Sequence, residues 1–292
     1  MLSDTIRAIP HRILPKRSLT ILAGMCANIK IPFIKNYVIH RFIRSYGVNM
    51  SEALYERPEE YACFNDFFIR PLKLGCRPLA KADLISPVDG CVSEIGEIQA
   101  GKMLQAKNHY YTVQDLLACD QDMSVQFENG RFATLYLSPK DYHRVHMPIQ
   151  GTLSHMIHVP GKLFSVQPLT ARVIPKLFAQ NERLVLFFNT EIGLMAMVMV
   201  GATIVGAIGT SWQGDLVRNE TPQLIDYTQG INGPPQLEKG AEAGYFKLGS
   251  TVILLFAEGN RMKWSPELHC GSPVRFGQAI GQFVEYPGDH PC

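Results

Sequence analysis

The run from Gly244 to Phe256, GYFKLGSTVILLF, constrains the fold more than any other stretch of this chain. On either side of Gly249, Ser250 and Thr251 its residues are β-branched, aromatic or long aliphatic, a composition typical of a buried strand. Glycine weakens the packing of a strand interior, so the Gly249-Ser250 pair predicts a bulge, a close backbone approach or strained geometry. We therefore expect a serine at an irregular point inside a sheet.

The rest of the sequence predicts an α+β protein with a mainly β core. From Leu84 onward, short apolar runs are interrupted by Gly, Pro, Asn and Asp, a spacing typical of a sandwich or a barrel. Before that point, apolar residues at helical spacing on both sides of Pro32 predict amphipathic helices. These apolar residues are Leu22, Met25, Ile29, Ile34, Val38 and Phe42. We expect a helical region over residues 1–60 and a β-rich catalytic domain over residues 61–292.

Charge is concentrated near the N-terminus. The net charge of +2 over 292 residues gives no reason to expect a nucleic acid as partner. Between Thr5 and Ser51, however, eight Lys or Arg residues occur without a carboxylate, as suits an anionic membrane surface. This pattern favours a peripheral anchor on the cytoplasmic side of the cell membrane, whose cations, Lys35 among them, meet lipid headgroups. A pair of helices that only packs on the core is the alternative.

One apolar stretch, Ile192 to Gly214, is uncharged over 23 residues, a length that could span a membrane as a helix. Gly201, Gly206 and Gly209 interrupt it, and Val and Ile recur, so two or three buried strands are the better interpretation. The following segment, from Glu220 to Gly244, is predicted to be a loop.

Three kinds of side chain could carry chemistry here: Ser250, the histidines His143 and His146, and Asp89 in a Pro-Val-Asp-Gly turn. A serine hydroxyl needs a base to become a nucleophile, and an imidazole base needs a partner that orients it. Taken alone, Asp89 fits a turn aspartate and either histidine fits a core position. The seven cysteines are scattered without C-x-x-C spacing, so they predict reduced thiols in a cytosolic setting rather than disulfides or a metal site.

Five stretches together resemble the phosphatidylserine decarboxylase family. The LGST sequence preceded by GYFK resembles the family's self-cleavage signature, and the other four stretches occur in the family's order. They are FNDFFIRPLKLGCRPL (Phe64 to Leu79), SPVDG (Ser86 to Gly90), YHRVHMP (Tyr142 to Pro148) with Gly151, and VPGKLFSV (Val159 to Val166). The resemblance covers most of the chain, from Phe64 to Phe256.

The resemblance implies a charge-relay triad of Asp89, His146 and Ser250 that cleaves the chain between Gly249 and Ser250. It also implies that Ser250 becomes a pyruvoyl group, which forms a Schiff base with phosphatidylserine, and that His143 supplies the proton after carbon dioxide leaves. The products of cleavage would be a large subunit, 1–249, and a small subunit, 250–292, in one heterodimer that makes phosphatidylethanolamine. Whether two such units pair stays open.

The alternative is a lipid-acting serine hydrolase that uses the same Ser-His-Asp residues without self-cleavage. Such an enzyme predicts a G-x-S-x-G elbow, whereas the serine here lies in L-G-S-T-V.

Overall fold

The computed structural model describes residues 23–106, 109–203, 207–217, 219–229 and 233–284. Residues 23–27 are helical. They are followed by the long helix α1 (Pro32–Tyr46), a 3-10 turn at Pro58–Glu60 and the short helix α2 (Phe64–Phe68). The predicted helices on both sides of Pro32 are therefore present, although Leu22 and the cations before it lie outside the described residues. The short helices that follow are α3 (Val113–Leu117), α4 (Gln121–Val125), α5 (Pro168–Ala171) and α6 (Leu177–Gln180).

Strands dominate the remainder, as predicted for a mainly β core. In chain order they are β1 (Leu84–Ile85), β2 (Gly90–Glu97), β3 (Lys102–Ala106), β4 (His109–Thr112), β5 (Arg131–Leu137), β6 (Arg144–His146), β7 (Gly151–Val159), β8 (Arg183–Thr190), β9 (Gly193–Gly201), β10 (Ala207–Thr210), β11 (Gly214–Asp215), β12 (Gln223–Asp226), β13 (Gln236–Leu237), β14 (Glu242–Lys247), β15 (Ser250–Phe256), β16 (Met262–Trp264), β17 (Pro273–Val274) and β18 (Ala279–Phe283).

The largest sheet has the order β12-β7-β8-β9-β15-β5-β2-β17, with β13 pairing with β7, and all its pairs are antiparallel. A second sheet has the order β11-β10-β14-β6. Every residue of β15 is buried, because β15 lies between β9 and β5 in the interior of the large sheet. Burial on both faces explains why the sequence of β15 is a nearly continuous apolar run instead of an alternating one.

The run GYFKLGSTVILLF forms two strands in two different sheets. Its first half is β14, in the smaller sheet, and its second half is β15, in the larger one. Leu248 and Gly249 link them, and both have left-handed backbone dihedrals, with φ of 81° and 66°. A positive φ is strained for leucine and unstrained for glycine. The predicted irregularity is therefore confirmed as a tight passage between two sheets.

The stretch from Ile192 to Gly214 contains β9, β10 and β11, so the prediction of strands is confirmed there. Among the described residues, no helix is both long and apolar enough to cross a membrane. The predicted loop from Glu220 to Gly244 also contains β12 and β13, which pair with the edge strand β7, together with the start of β14. Strands β12 and β13 are short, and β12 is exposed, so their sequences lack the alternation of apolar and polar residues that a half-buried strand shows.

The N-terminal helices pack around a small aromatic core of their own. Its buried residues are Ala27, Ile39, Val48, Tyr61, Phe64, Phe67 and Phe68, and Leu248 packs against them from the link between the sheets. Lys35 belongs to this buried side of α1, where its ammonium donates to the carbonyl oxygens of Pro58 and Glu59, both at 3.3 Å. The expectation that Lys35 meets lipid headgroups is not met, because this cation holds the 3-10 turn.

Candidate active site

Ser250 opens β15, and its hydroxyl has no partner. Its backbone pairs with Leu137 of β5 and with Gly201 of β9, and the side chain is fully buried. Within the described part of the chain, Ser250 Oγ accepts and donates no hydrogen bond. A buried hydroxyl without a partner is costly, and at Ser250 it comes directly after two residues with positive φ, a combination that suits a chemical use.

The backbone before Ser250 leaves open space on the side of Gly249 where a side chain would lie. A side chain built on Gly249 would meet no atom within 4 Å. Together, the orphaned hydroxyl, the strained Leu248 and the free space at Gly249 fit a serine that attacks the preceding peptide bond. The same features fit a small ketone at position 250, since no neighbouring side chain depends on the serine oxygen.

His146, the last residue of β6, has a partner at each ring nitrogen. Its Nδ1 lies 2.9 Å from the Gly240 carbonyl oxygen, which can only accept, so Nδ1 carries the proton. Its Nε2 is then an acceptor, and the Tyr142 hydroxyl donates to it at 3.0 Å. The ring also stacks on Phe276, with centroids 3.7 Å apart and planes 14° apart. Burial lowers the pKa of His146 from its ordinary value, while the Gly240 hydrogen bond opposes that shift. The imidazole is therefore neutral and basic at neutral pH.

Asp89 lies in the turn between β1 and β2, next to His146. The His146 N–H donates to the Pro87 carbonyl oxygen at 2.9 Å, which brings this turn against β6. Glycine is required at position 90, because a side chain there would lie 2.3 Å from the Tyr136 carbonyl oxygen. In the described structure the Asp89 carboxylate makes no hydrogen bond to His146. The contact between them runs through Phe276, whose N–H donates to Asp89 Oδ1 at 2.8 Å while its ring stacks on the imidazole.

Arg77 holds the Asp89 carboxylate. Its Nε lies 3.0 Å and 3.2 Å from the two carboxylate oxygens, its Nη2 lies 2.6 Å from Oδ2, and the same Nη2 donates to Glu52 at 2.7 Å. Charge-assisted contacts of this kind are among the strongest polar interactions in proteins. The hydrogen bond to Asp89 raises the pKa of Arg77, and its hydrogen bond to Glu52 lowers the pKa of that carboxyl. Asp89 is thus a firmly oriented group that pairs with a cation.

His143 directly precedes β6 and lies beside Phe246 of β14, two residues before the link between the sheets. Its Nδ1 donates to the Asp141 carbonyl oxygen at 2.9 Å, and its buried Nε2 has no partner among the described residues. The ring lies against Phe68, with centroids 4.1 Å apart, and the Phe246 N–H donates to the His143 carbonyl oxygen at 3.0 Å. Burial, with a smaller contribution from the cation of Arg70, lowers the pKa of His143 to about 3, against the opposing effect of the Asp141 hydrogen bond. His143 therefore presents a bare, neutral nitrogen.

The structure thus brings Asp89 and His146 side by side, and it places His143 against β14, the strand that leads to Ser250. It shows no hydrogen bond that joins the three residues of the predicted triad within the described chain. Sequence reasoning missed Tyr142, Arg77, Phe276 and the Gly240 carbonyl. Tyr142 and Arg77 lie inside stretches that carry the family resemblance, so they could have been singled out. Phe276 and Gly240 lie outside those stretches and gave no signal.

Comparison with known proteins gives a consistent result. A family model described as phosphatidylserine decarboxylase matches residues 64–282, and a second family model, described as PSD, matches residues 6–47. A phosphatidylserine decarboxylase proenzyme of Legionella pneumophila (strain Lens) is 57% identical over 280 residues, covering 96% of this chain and 99% of the relative. The proenzyme of Azotobacter vinelandii is 48% identical over 286 residues, covering 96% of this chain and 99% of the relative. With a matched family model over more than half its length and relatives this similar from end to end, the chain belongs to the phosphatidylserine decarboxylase family.

Proposed function

We propose that this decarboxylase is made as a proenzyme that cleaves itself between Gly249 and Ser250 and then converts phosphatidylserine to phosphatidylethanolamine and carbon dioxide. The observation that carries the proposal is the fully buried Ser250 hydroxyl without a partner, directly after a left-handed link between two sheets. The name proenzyme, which the relatives share, supports a cleaved form.

The proposed self-cleavage starts with His146. Its neutral imidazole takes the proton of Ser250 Oγ, and Oγ attacks the Gly249 carbonyl carbon, so that the amide becomes an ester. Loss of the Ser250 Cα proton then expels the Gly249 carboxylate, which leaves a dehydroalanine on the small subunit. Water adds to that residue, ammonia departs, and a ketone remains at position 250.

Asp89 supports this step electrostatically. An anion held beside the His146 ring by Arg77 and by the Phe276 N–H stabilises the imidazolium that forms as the proton moves. The Phe276 ring stacks on the His146 imidazole and fixes its orientation. The distance between the imidazole and the Asp89 carboxylate is therefore fixed as well. Phe276 would belong to the small subunit and Asp89 to the large one, so the site draws on both.

The ketone at position 250, once present, supplies an electrophilic carbonyl that amino acid side chains lack, and it accepts the electrons released as carbon dioxide leaves. The buried position of Ser250 fits this role, because a ketone there is shielded from water by β5 and β9. Decarboxylation consumes one proton. We assign its delivery to His143 Nε2, the bare nitrogen beside the link. Because the pKa of about 3 leaves Nε2 without a proton, this nitrogen first takes the proton from water and then passes it to the carbanion, which a group of such low pKa does readily.

The two subunits would stay together after cleavage. Cleavage between Gly249 and Ser250 breaks the link between β14 and β15 but leaves β15 paired with β5 and β9 over its whole length. Because all of β15 is buried, separation would expose the centre of the large sheet. A heterodimer of residues 1–249 and 250–292 follows.

The substrate is a bilayer lipid, so the enzyme has to reach a membrane surface. Helix α1 presents large apolar side chains to solvent, with Phe33 83% and Tyr37 66% exposed, and exposed basic residues accompany them, including Arg41. Such a surface suits peripheral binding to an anionic leaflet, and we assign it to the cytoplasmic side of the membrane.

The test is an intact mass of the denatured protein, followed by borohydride reduction with phosphatidylserine. We expect two chains, with the small one starting at position 250, blocked at its N-terminus and trapped as a lipid adduct. Ser250→Ala should remain one chain, as should His146→Ala and Asp89→Ala, whereas His143→Ala should mature and lose turnover.

Thr251→Val is the matched control, because Thr251 is equally buried and its hydroxyl also has no partner. It should mature like the wild type. Cleavage of the Ser250→Ala chain, or a wild-type chain that consumes lipid while intact, would overturn the proposal.

A further inference from the structure

A cavity of about 460 Å³ lies where the N-terminal helical region meets the large sheet. Asp89 and Tyr142 form part of its wall, so it adjoins the His146 cluster. The connector between α2 and β1, which the proposed chemistry does not use beyond Arg77, contributes Arg70 and Leu72 to its wall.

Arg70 is the unusual residue in this wall. Its side chain is 3% exposed, and its Nη2 donates to the carbonyl oxygens of Lys140 and Asp141 at 2.8 Å and 3.2 Å. Its Nε and Nη1 have no hydrogen-bond partner in the described structure. Arg77, on the same wall, is neutralised by Asp89 and Glu52, whereas no described carboxylate forms a salt bridge with Arg70. The carboxylates of Asp89, Asp141 and Glu52 act on this cation only at longer range. A buried cation without a salt-bridge partner is costly, so its presence points to an anion that is supplied from outside.

A second unsatisfied group lines the same cavity. The hydroxyl of Ser138 is buried and has no partner among the described residues. A hydroxyl can donate to an anion next to a guanidinium, so Arg70 and Ser138 give the wall of this cavity two side chains with unused donors.

The cavity is also within reach of position 250. Ser138 follows Leu137, which pairs with Ser250, so the Cα atoms of Ser138 and Ser250 are within roughly 9 Å. Arg70 and His143 donate to the same Asp141 carbonyl oxygen, so the guanidinium lies beside the imidazole. In phosphatidylserine the phosphorus is only four bonds from the amine nitrogen. An amine that reacts at position 250 therefore brings its phosphodiester close to this wall.

We propose that this cavity binds the phosphodiester of the lipid headgroup through the Arg70 guanidinium and the Ser138 hydroxyl. The inference rests on the proposed function, since it presumes that the headgroup reacts at position 250. The substrate also carries a carboxylate, but that group loses its charge as carbon dioxide forms. A cation held on the carboxylate would stabilise the substrate more than the transition state and slow the reaction. The phosphodiester keeps its charge throughout, so a permanent cation suits it.

The experiment measures kcat and KM with short-chain phosphatidylserine, and competitive inhibition by glycerophosphoethanolamine and by inorganic phosphate. Glycerophosphoethanolamine has the phosphodiester and no carboxylate. For Arg70→Gln we expect complete self-cleavage, a KM raised by about tenfold to a hundredfold with a smaller change in kcat, and inhibition by glycerophosphoethanolamine weakened to the same extent. Arg70→Lys should retain part of the affinity for the phosphodiester, because the lysine ammonium keeps the positive charge but lacks the forked set of guanidinium donors.

Ser138→Ala is the second variant, and it should raise KM by a few-fold without affecting maturation. If Arg70→Gln does not fold, the Ser138→Ala variant tests the proposal by itself. Arg131→Gln is the matched control, since Arg131 opens β5 at the opposite end from Ser138 and pairs with Glu97 outside the cavity. It should leave both constants unchanged.

Three outcomes would overturn the inference. A lower kcat at unchanged KM would mean that Arg70 only positions the loop of His143. A raised KM with unchanged inhibition by glycerophosphoethanolamine would place Arg70 on the carboxylate. Loss of phosphate inhibition without a change in KM would indicate a site for free anions. A wild-type protein that binds glycerophosphoethanolamine through Arg70 but decarboxylates nothing would instead contradict the proposed function.

Discussion

At the scale of single residues, the site depends on the hydrogen-bond and stacking partners of His146 and Asp89. Tyr142, Gly240 and Phe276 surround the imidazole, and Arg77 with Phe276 surrounds the carboxylate. Burial keeps the pKa of His146 below its ordinary value and the ring neutral, as the proposed self-cleavage requires of its base, while Arg77 and the Phe276 N–H fix the Asp89 carboxylate beside it. His146 is therefore already neutral and oriented before it accepts the proton of Ser250.

Tyr142 makes a testable contribution to this preparation. Its hydroxyl donates to the lone pair of His146 Nε2, and in this direction the hydrogen bond stabilises the neutral imidazole. Self-cleavage needs that neutral form, so its rate falls as the pH drops through the pKa of His146. Tyr142→Phe should raise the pKa and move the acid limb of the profile to higher pH.

The measurement is the cleavage rate of freshly synthesised precursor as a function of pH. For the wild type the acid limb should lie below the ordinary histidine value of 6.5, because burial lowers the pKa of His146. Tyr227→Phe is the matched control, since the Tyr227 hydroxyl accepts from Trp212 away from the histidines. An unchanged profile for Tyr142→Phe would remove Tyr142 from this role.

At the scale of elements, the decisive feature is the link between β14 and β15. Two successive residues with positive φ carry the chain from one sheet to the other, and the proposed scissile bond follows directly. Leu248 accepts the strained conformation because its side chain packs on the aromatic core formed with α2. The packing of the N-terminal helices thus supports the geometry of the link.

Gly249→Ala tests the link. The new side chain has room, but φ of 66° costs an alanine about 1 kcal/mol, so the variant should lose that amount of stability. Relief of this strain would turn the Gly249 carbonyl away from Ser250, and we expect self-cleavage to slow by about tenfold. Denaturant unfolding and a time course of cleavage measure the two effects.

Gly271→Ala is the matched control, because Gly271 also has a positive φ, of 91°, and equally open space, but lies outside the site. It should lose comparable stability and cleave at the wild-type rate. If both variants cleaved equally fast, the conformation of Gly249 would have no part in the chemistry.

At the scale of the whole molecule, helix α1 divides its surface between core and solvent. Lys35 and Ile39 face the aromatic core, while Phe33 and Tyr37, four residues apart and so on one face, are exposed.

If this face enters the bilayer, a Phe33→Asp, Tyr37→Asp double variant should lose at least tenfold in partitioning to vesicles, since each aromatic ring contributes about 1.5–3 kcal/mol on burial.

Cosedimentation with phosphatidylserine-containing vesicles measures this partitioning. Leu224→Asp is the control, because Leu224 on β12 is also exposed, at 61%, but lies on the edge of the large sheet. Vesicle binding that is the same for all three proteins would contradict an anchor on α1.

The sequence by itself was sufficient for much of this protein. Composition and spacing predicted the mainly β core and the strands after Ile192, and the five motifs predicted the family, all of which is confirmed. The roles of Asp89, His146, His143 and Ser250 remain predictions. These successes share a cause: apolar pattern, glycine placement and motif order are local properties that a linear sequence carries.

Only the tertiary structure decided which groups meet. It showed that GYFKLGSTVILLF divides between two sheets, that Lys35 faces the core, and that Arg77, Tyr142 and Phe276 hold the polar site. Phe276 is 187 positions from Asp89, and the Gly240 carbonyl is 94 positions from His146. Such contacts arise from strand order and register, which depend on the packing of the whole chain, and no local pattern records them.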